Sequence, residues 1–128
     1  MNIPENLRYT KDHEWAKSEG GTVRVGITGF AVEQLGDITL VEVPEVGESV
    51  KAGETIGTIE SVKAVSDLYA PLTGVVKAVN EELEDAPEKV NEDCFGEGWM
   101  LEIELADSDE VEGLLDAAAY KAHLDSID

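Results

Sequence analysis

Residues 57–71, "GTIESVKAVSDLYAP", decide how the chain is read. Ile56 and Ile59 precede a break in period-two alternation, and Val62, Val65 and Leu68 follow it in a different phase. Such a break is expected where a strand ends and the chain reverses, near 60–63. Tight hairpin turns favour Asn-Gly, Asp-Gly or paired glycines, because their central residues need positive φ. The crest instead reads Glu60, Ser61, Val62, Lys63 and Ala64, with a β-branched residue directly before a lysine. A surface lysine is ordinarily a solubilising charge. Against that ordinary reading of Lys63 stand the unfavourable turn residues around it.

Outward from the crest, "VPEVGESVKAGETIG" (43–57) and "YAPLTGVVKAVNEEL" (69–83) both run from proline through glycine into alternating valines. This echo predicts two halves forming two sheets related by an approximate two-fold, linked by 60–66. Short strands recur at roughly eight to twelve residues with Gly and Pro at the breaks, the pattern of an all-β sandwich or barrel. Upstream, "HEWAKSEGGTVRVGIT" (13–28) reads as a hairpin turning at Ser18 to Gly21. "GFAVEQLGD" (29–37) reads as a short helix near 29–36, stopped by Gly36 as a C′ residue. "ITLVEVP" (38–44) is a strand closed by Pro44.

Residues 1–10, with Pro4, read as an extended arm, and 84–98 as a long irregular loop. Loops of that length usually signal function or packing against the surface. "WMLEIEL" (99–105) closes the β region with Trp99, Leu101, Ile103 and Leu105 on one face. The C-terminal segment 107–128 is helical, with Asp107 and Glu110 as a capping box or Ser108 as the cap. Its apolar stripe is Val111, Leu114, Leu115 and Ala118, and Gly113 divides it into two short helices. One domain, 1–128, accommodates all of this.

Charge narrows the function. The chain has 29 acidic and 9 basic residues, a net charge of −20. Phosphate backbones and anionic lipid surfaces are repelled, which excludes nucleic acid and membrane as partners. The acids are spread along the whole chain, as on a protein working in concentrated salt, where self-repulsion is screened. No run of apolar residues is long enough to span a bilayer. The start, "MNIPENLRYTKDHEW", has neither a signal peptide's apolar core nor a transit peptide's basic character. The chain reads as a bacterial or archaeal cytoplasmic protein, or a mature form. The lone cysteine, Cys94, excludes an internal disulfide and reads as a partly buried structural residue.

A catalytic constellation is missing. His13 and His123 lie far apart in sequence; His13 reads as a structural residue at a strand edge and His123 as solvated on an acidic helix. There is no His-x-x-x-His pair, no Cys-His cluster, no calcium loop and no phosphate-binding loop. The chain reads as a non-enzyme.

The residues then carry a resemblance. "ESVKA" (60–64) resembles the lipoylation site of the glycine cleavage system H proteins. "YTKDHEW" (9–15), "VGITGFAVEQLGDI" (25–38), "VEVPEVGESV" (41–50), "VNEELEDAPEKVNED" (79–93) and "GEGWM" (96–100) resemble family motifs in the family's order. The resemblance is dense over about 7–105. It implies a barrel-sandwich hybrid of the lipoyl/biotinyl-carrier type, with lipoic acid in amide linkage to Lys63. It implies a shuttle for the aminomethyl group of glycine, passing from a pyridoxal-phosphate glycine decarboxylase (P protein) to a folate-dependent aminomethyltransferase (T protein). Electrons go to dihydrolipoamide dehydrogenase (L protein). Glu14 and Asp67 are implied as carboxylates of a cleft for the loaded arm. Glu60, with Ser61, Val62 and Ala64, is implied in recognition by the lipoylating enzyme or the partner enzymes. The carrier is expected to be a monomer when free. Cys94 stands where the family usually has proline, and Gly29 where a polar residue is common; both lie in connecting segments. Alternatives are a lipoate relay serving other complexes, another swinging-arm carrier, and an unmodified interaction domain. A biotin carrier would want Met on both sides of the lysine, and a 2-oxoacid dehydrogenase lipoyl domain Asp-Lys-Ala.

Overall fold

A computed structural model describes residues 3–127; Met1, Asn2 and Asp128, the ends of the expected arm and C-terminal helix, lie outside them. The chain is mainly β. Strands β1 (Arg8–Tyr9), β2 (Glu14–Glu19) and β3 (Thr22–Ile27) precede helix α1 (Gly29–Leu35). Strands β4 (Ile38–Glu42), β5 (Ser49–Val50), β6 (Thr55–Ser61), β7 (Val65–Tyr69) and β8 (Gly74–Val79) follow. Helices α2 (Glu82–Asp85) and α3 (Lys89–Glu92), strand β9 (Leu101–Leu105), a 3₁₀ turn (Ser108–Gly113) and helix α4 (Ala117–Ile127) complete it. Among the described residues no helix is long and apolar enough to cross a membrane.

Two antiparallel sheets form, ordered β1-β2-β3-β9-β8-β5 and β4-β6-β7. Apolar residues from both sheets make the main core: Val23, Val25 and Ile27 from β3, Val41 from β4, Ile59 from β6, Leu68 from β7, Val76 from β8, and Leu101 and Ile103 from β9. Alternation supplies one inward side chain every second residue, so each strand needs only two or three apolar positions. A second cluster stacks Tyr9 on Tyr120, with ring centroids 4.7 Å apart, beside Leu7, Trp15 and Leu124.

The two-fold echo is realised differently from its expected form. β6 pairs with β7 and β5 with β8, as symmetry about the crest requires. However, the halves do not take one sheet each; their strands interleave, and 60–66 turns within the smaller sheet. The phase break also begins early, at a register shift between Thr55 and Gly57. A bulge costs one residue of alternation, which the pattern of apolar residues cannot separate from the turn itself.

Local signals are realised in the β2–β3 hairpin, where Gly20 takes φ +70°, and in α1. Thr28 caps α1 by accepting from the Ala31 amide, and Gly36 ends it at φ +78°. Three expectations need correction. The 84–98 segment contains helical turns, α2 and α3, which bury Leu83 and Val90 under an otherwise polar surface. Asp107 does cap, accepting from the Asp109 amide at 3.0 Å, but Glu110 turns away to accept from the Thr73 amide at 2.6 Å. Of the expected C-terminal stripe, Val111, Leu114 and Leu115 do pack, partly buried, against the two clusters. Ala118 is exposed and α4 buries Tyr120 and Leu124 instead, because the chain re-enters at Asp116 in a new helical phase.

Candidate functional site: the crest and its platform

The crest is a two-residue loop. Glu60 pairs with Val65, and the Ser61 amide donates to the Ala64 carbonyl at 2.8 Å. The Ser61 hydroxyl does what glycine would otherwise do. It accepts from the Ala64 amide at 3.1 Å and from the Lys63 amide at 3.4 Å. A serine or threonine hydroxyl bonding amides two and three residues on stabilises a turn without positive φ. Among the described residues His13 is the one non-glycine with positive φ, so Val62 and Lys63 turn without it.

The crest rests on a platform. The Val62 amide donates to the Asp37 carbonyl at 3.1 Å, and Thr39 Oγ1 donates to the Glu60 carbonyl at 3.2 Å. Asn91 fixes this platform from behind: its Nδ2 donates to the Gly36 carbonyl at 2.8 Å and its Oδ1 accepts from the Ile38 amide at 2.9 Å. The lysine stem lies over Gly36, where a Cβ would stand 3.2 Å from Lys63 Cε. The amine itself is exposed. Neither Lys63 nor Asp67 enters an ion pair among the described residues.

β7 connects the crest to the two carboxylates. Asp67 is exposed, paired with Thr58 on the outer face of the smaller sheet. Glu14 is only 2% exposed, and its Oε2 accepts from the Tyr69 amide at 3.4 Å, so it satisfies a backbone donor of this edge strand. Thr10 Oγ1 donates to Glu14 Oε1 at 2.6 Å. Burial pushes the Glu14 carboxyl up to about 7, against the pull of the Thr10 hydroxyl toward ionisation. The fold therefore brings Glu14 to within two residues of Asp67 along one strand, although 53 positions separate them in sequence.

His13 holds the approach to Glu14. Its φ of +71° is a strained backbone for a non-glycine residue. Its Nδ1 lies 2.9 Å from the Tyr120 hydroxyl, which is 2.7 Å from Thr28 Oγ1, and its ring packs on Phe30 at 4.5 Å. His123 is half-buried, its ring 5.9 Å from that of His13, and not simply solvated. Burial, and then His123, hold the His13 pKa below its ordinary value. Cys94 is half-buried, its carbonyl accepting from Trp15 Nε1 at 2.8 Å, and burial pushes its thiol up to about 11. A thiol held that high is a poor nucleophile.

With this geometry in place, similarity decides the family. The family described as "Glycine cleavage H-protein" matches residues 7–127. The chain belongs to the glycine cleavage H-protein family. It is 56% identical over 125 residues to the glycine cleavage system H protein of Anaeromyxobacter sp. (strain K), covering 98% of both chains. It is 56% identical over 122 residues to the one from Bacteroides thetaiotaomicron, covering 95% of this chain and 97% of that one. Its fold is similar to the crystal structure of a glycine cleavage system H protein from Mycobacterium marinum. The TM-score is 0.88 at 43% identity, over 96% of this chain and 99% of that one. Membership of the H-protein family agrees with the mainly β sandwich expected from the sequence.

The crest was named from the sequence, and Glu14 and Asp67 from the resemblance, without the contacts that hold them. Ser61 was legible as a crest residue and not as the turn's hydrogen-bonding partner. Asn91 gave no signal: an asparagine among acids in an irregular segment looks like any loop residue.

Proposed function

We propose that this H protein is a lipoyl-lysine carrier of glycine cleavage, with lipoic acid joined by an amide to Lys63. It carries the aminomethyl group of glycine from the pyridoxal-phosphate decarboxylase to the folate-dependent aminomethyltransferase, and electrons to dihydrolipoamide dehydrogenase. The observation that carries the reading is the exposed Lys63 amine on a glycine-free crest braced by Ser61 and Asn91, in a chain of this family. The residues fit the group: the amine is unpaired among the described residues, and Gly36 leaves room for the stem. When bound, the lipoyl group supplies a dithiolane that takes up the one-carbon unit and the electrons; that chemistry is the cofactor's.

The chain's own part is presentation and holding. Ser61 and Asn91 keep the crest in one conformation, so several enzymes meet the same target. Asp67 on β7, and Glu14 on β2 against the Tyr69 amide of β7, are the carboxylates a folded-back arm would approach. Glu14, whose carboxyl burial raises to about 7, is the residue able to hold or release a proton near neutral pH, and its ionised form would favour a cationic group held beside it. Thr10 orients that carboxyl, and the network of His13, Tyr120 and Thr28 holds the turn before it. The net charge of −20 selects partner enzymes with basic docking patches, and salt weakens that docking.

The test is reconstitution. Lipoylated protein should support glycine–bicarbonate exchange with its decarboxylase, and Lys63→Arg should abolish it while keeping the fold, since arginine cannot form the amide. Lipoylation of Lys63 without exchange activity would favour the relay reading over glycine cleavage.

A further inference from the structure

The outer face of the smaller sheet carries apolar residues that no core explains. Leu40 pairs with Glu60, and Glu60 with Val65, so these three side chains form one row across β4, β6 and β7. Directly opposed residues stand about 5 Å apart, which makes the row continuous. Leu40 is 37% exposed and Val65 64%, and Val62 at the crest is 70% exposed. The next row is Glu42, Thr58 and Asp67, and neither row contains a lysine or arginine. The face is an apolar strip with acidic side chains within and beside it, ending at Lys63.

We propose that this face is the docking surface for the enzyme that forms the amide on Lys63, and that the enzyme meets it with an apolar patch rimmed by lysine or arginine. This rests on the lipoyl reading above and assigns Leu40 and Val65 to it. The choice of partner follows from reach. In amide formation the neutral Nζ attacks the carbonyl carbon of an activated lipoyl donor, a mixed anhydride. The new C–N bond replaces the C–O bond, the phosphate leaving group departs with its electron pair, and Nζ loses a proton. Those atoms sit at the end of the lysine stem, so the enzyme's surface must cover the crest and what adjoins it. Enzymes that act on the dithiolane meet the far end of a long arm and need not touch the strip. Charge complementarity sets the rim: acidic rows that hold no cation before Lys63 attract a basic partner, while the apolar strip supplies the desolvated centre of the contact.

The experiment measures lipoylation by a lipoate ligase with lipoate and ATP, read by intact mass, for wild type and the double variant Leu40→Lys/Val65→Lys. We expect kcat/KM to fall at least tenfold, chiefly through KM, with an unchanged melting temperature. Val46→Lys, at an exposed valine in the 45–48 turn, should behave as wild type. Leu40→Thr/Val65→Thr, which keeps strand propensity, should lose severalfold and covers the case in which the lysine variant does not fold. Fully loaded variants should be oxidised by dihydrolipoamide dehydrogenase at the wild-type rate. Wild-type rates of lipoylation in both double variants would overturn the proposal while leaving the lipoyl reading intact. An equal loss in the dehydrogenase assay would overturn the assignment to the amide-forming enzyme. A wild-type protein that the ligase never modifies would overturn both readings.

Discussion

Lys63 lies across Gly36: a Cβ built on that glycine would meet Lys63 Cε at 3.2 Å. The residue that ends α1 is therefore also the floor beneath the candidate carrier lysine. Gly36 has φ +78° and ψ −148°, a backbone region that side chains rarely enter. Gly36→Ala should cost about 2 kcal/mol from backbone strain and also push the lysine stem aside. Chemical denaturation checks the first effect. Slower lipoylation of the folded variant checks the second, and a variant with wild-type stability and modification rate would contradict both.

Ser61→Ala removes the acceptor for the Ala64 and Lys63 amides. The site is exposed and water can take over, so the global cost should stay near 1 kcal/mol or below. The local effect is larger. Hydrogen exchange at the Lys63 and Ala64 amides should quicken severalfold while the β8–β9 amides keep wild-type protection. Unchanged exchange at the crest would remove Ser61 from its role in the turn.

Glu14 makes stability depend on pH in a definite direction. Its carboxyl is raised from 4.5 to about 7, so the folded state binds the proton more tightly than the unfolded chain. That contribution is fully present below about 4.5 and is lost as pH rises to about 7. A shift of that size corresponds to about 3 kcal/mol at 1.36 kcal/mol per pKa unit. Glu14→Gln should flatten this part of the stability profile between pH 4.5 and 7. His13 acts oppositely: its lowered pKa gives stability present above 6.5 and lost as pH falls. The difference between wild type and Glu14→Gln isolates the carboxyl, and identical profiles would contradict its assignment as a buried, proton-binding group.

The excess of acids, 29 against 9 basic residues, should make the fold salt-dependent. Arg24 with Glu102, at 2.8 Å, is a close pair, whereas Lys17 with Glu19 and Lys89 with Glu82 and Glu97 are looser, at 3.7–3.8 Å. Among the described residues few acids are paired with a basic neighbour, so screening must do the rest. The melting temperature should climb as KCl rises from dilute buffer to molar concentration. A flat profile would remove the inference of a protein adapted to concentrated salt.

What was legible in the sequence was what adjacent residues encode. The β2–β3 hairpin announces itself through Gly20 and Gly21, α1 through Gly36, and the crest through the phase change between Ile59 and Val65. Contacts across the fold were not legible. Asn91 reaches Gly36 over 55 positions and His13 reaches Tyr120 over 107, and neither leaves any periodicity to detect. The interleaving of strands between sheets was hidden for the same reason: pairing partners are chosen by packing, while alternation records only which face is buried. Glu110 shows the local rule overruled, since its carboxylate serves the distant Thr73 amide and not its own helix start.

The central claim is that Lys63 carries lipoic acid, and intact-mass and peptide-mass measurement of protein from lipoate-replete native cells tests it most directly. The predicted result is a single lipoyl increment confined to the peptide containing Lys63, and absent from Lys63→Arg. An unmodified Lys63 in protein that is folded and in use in those cells, or an increment on another lysine, would contradict it.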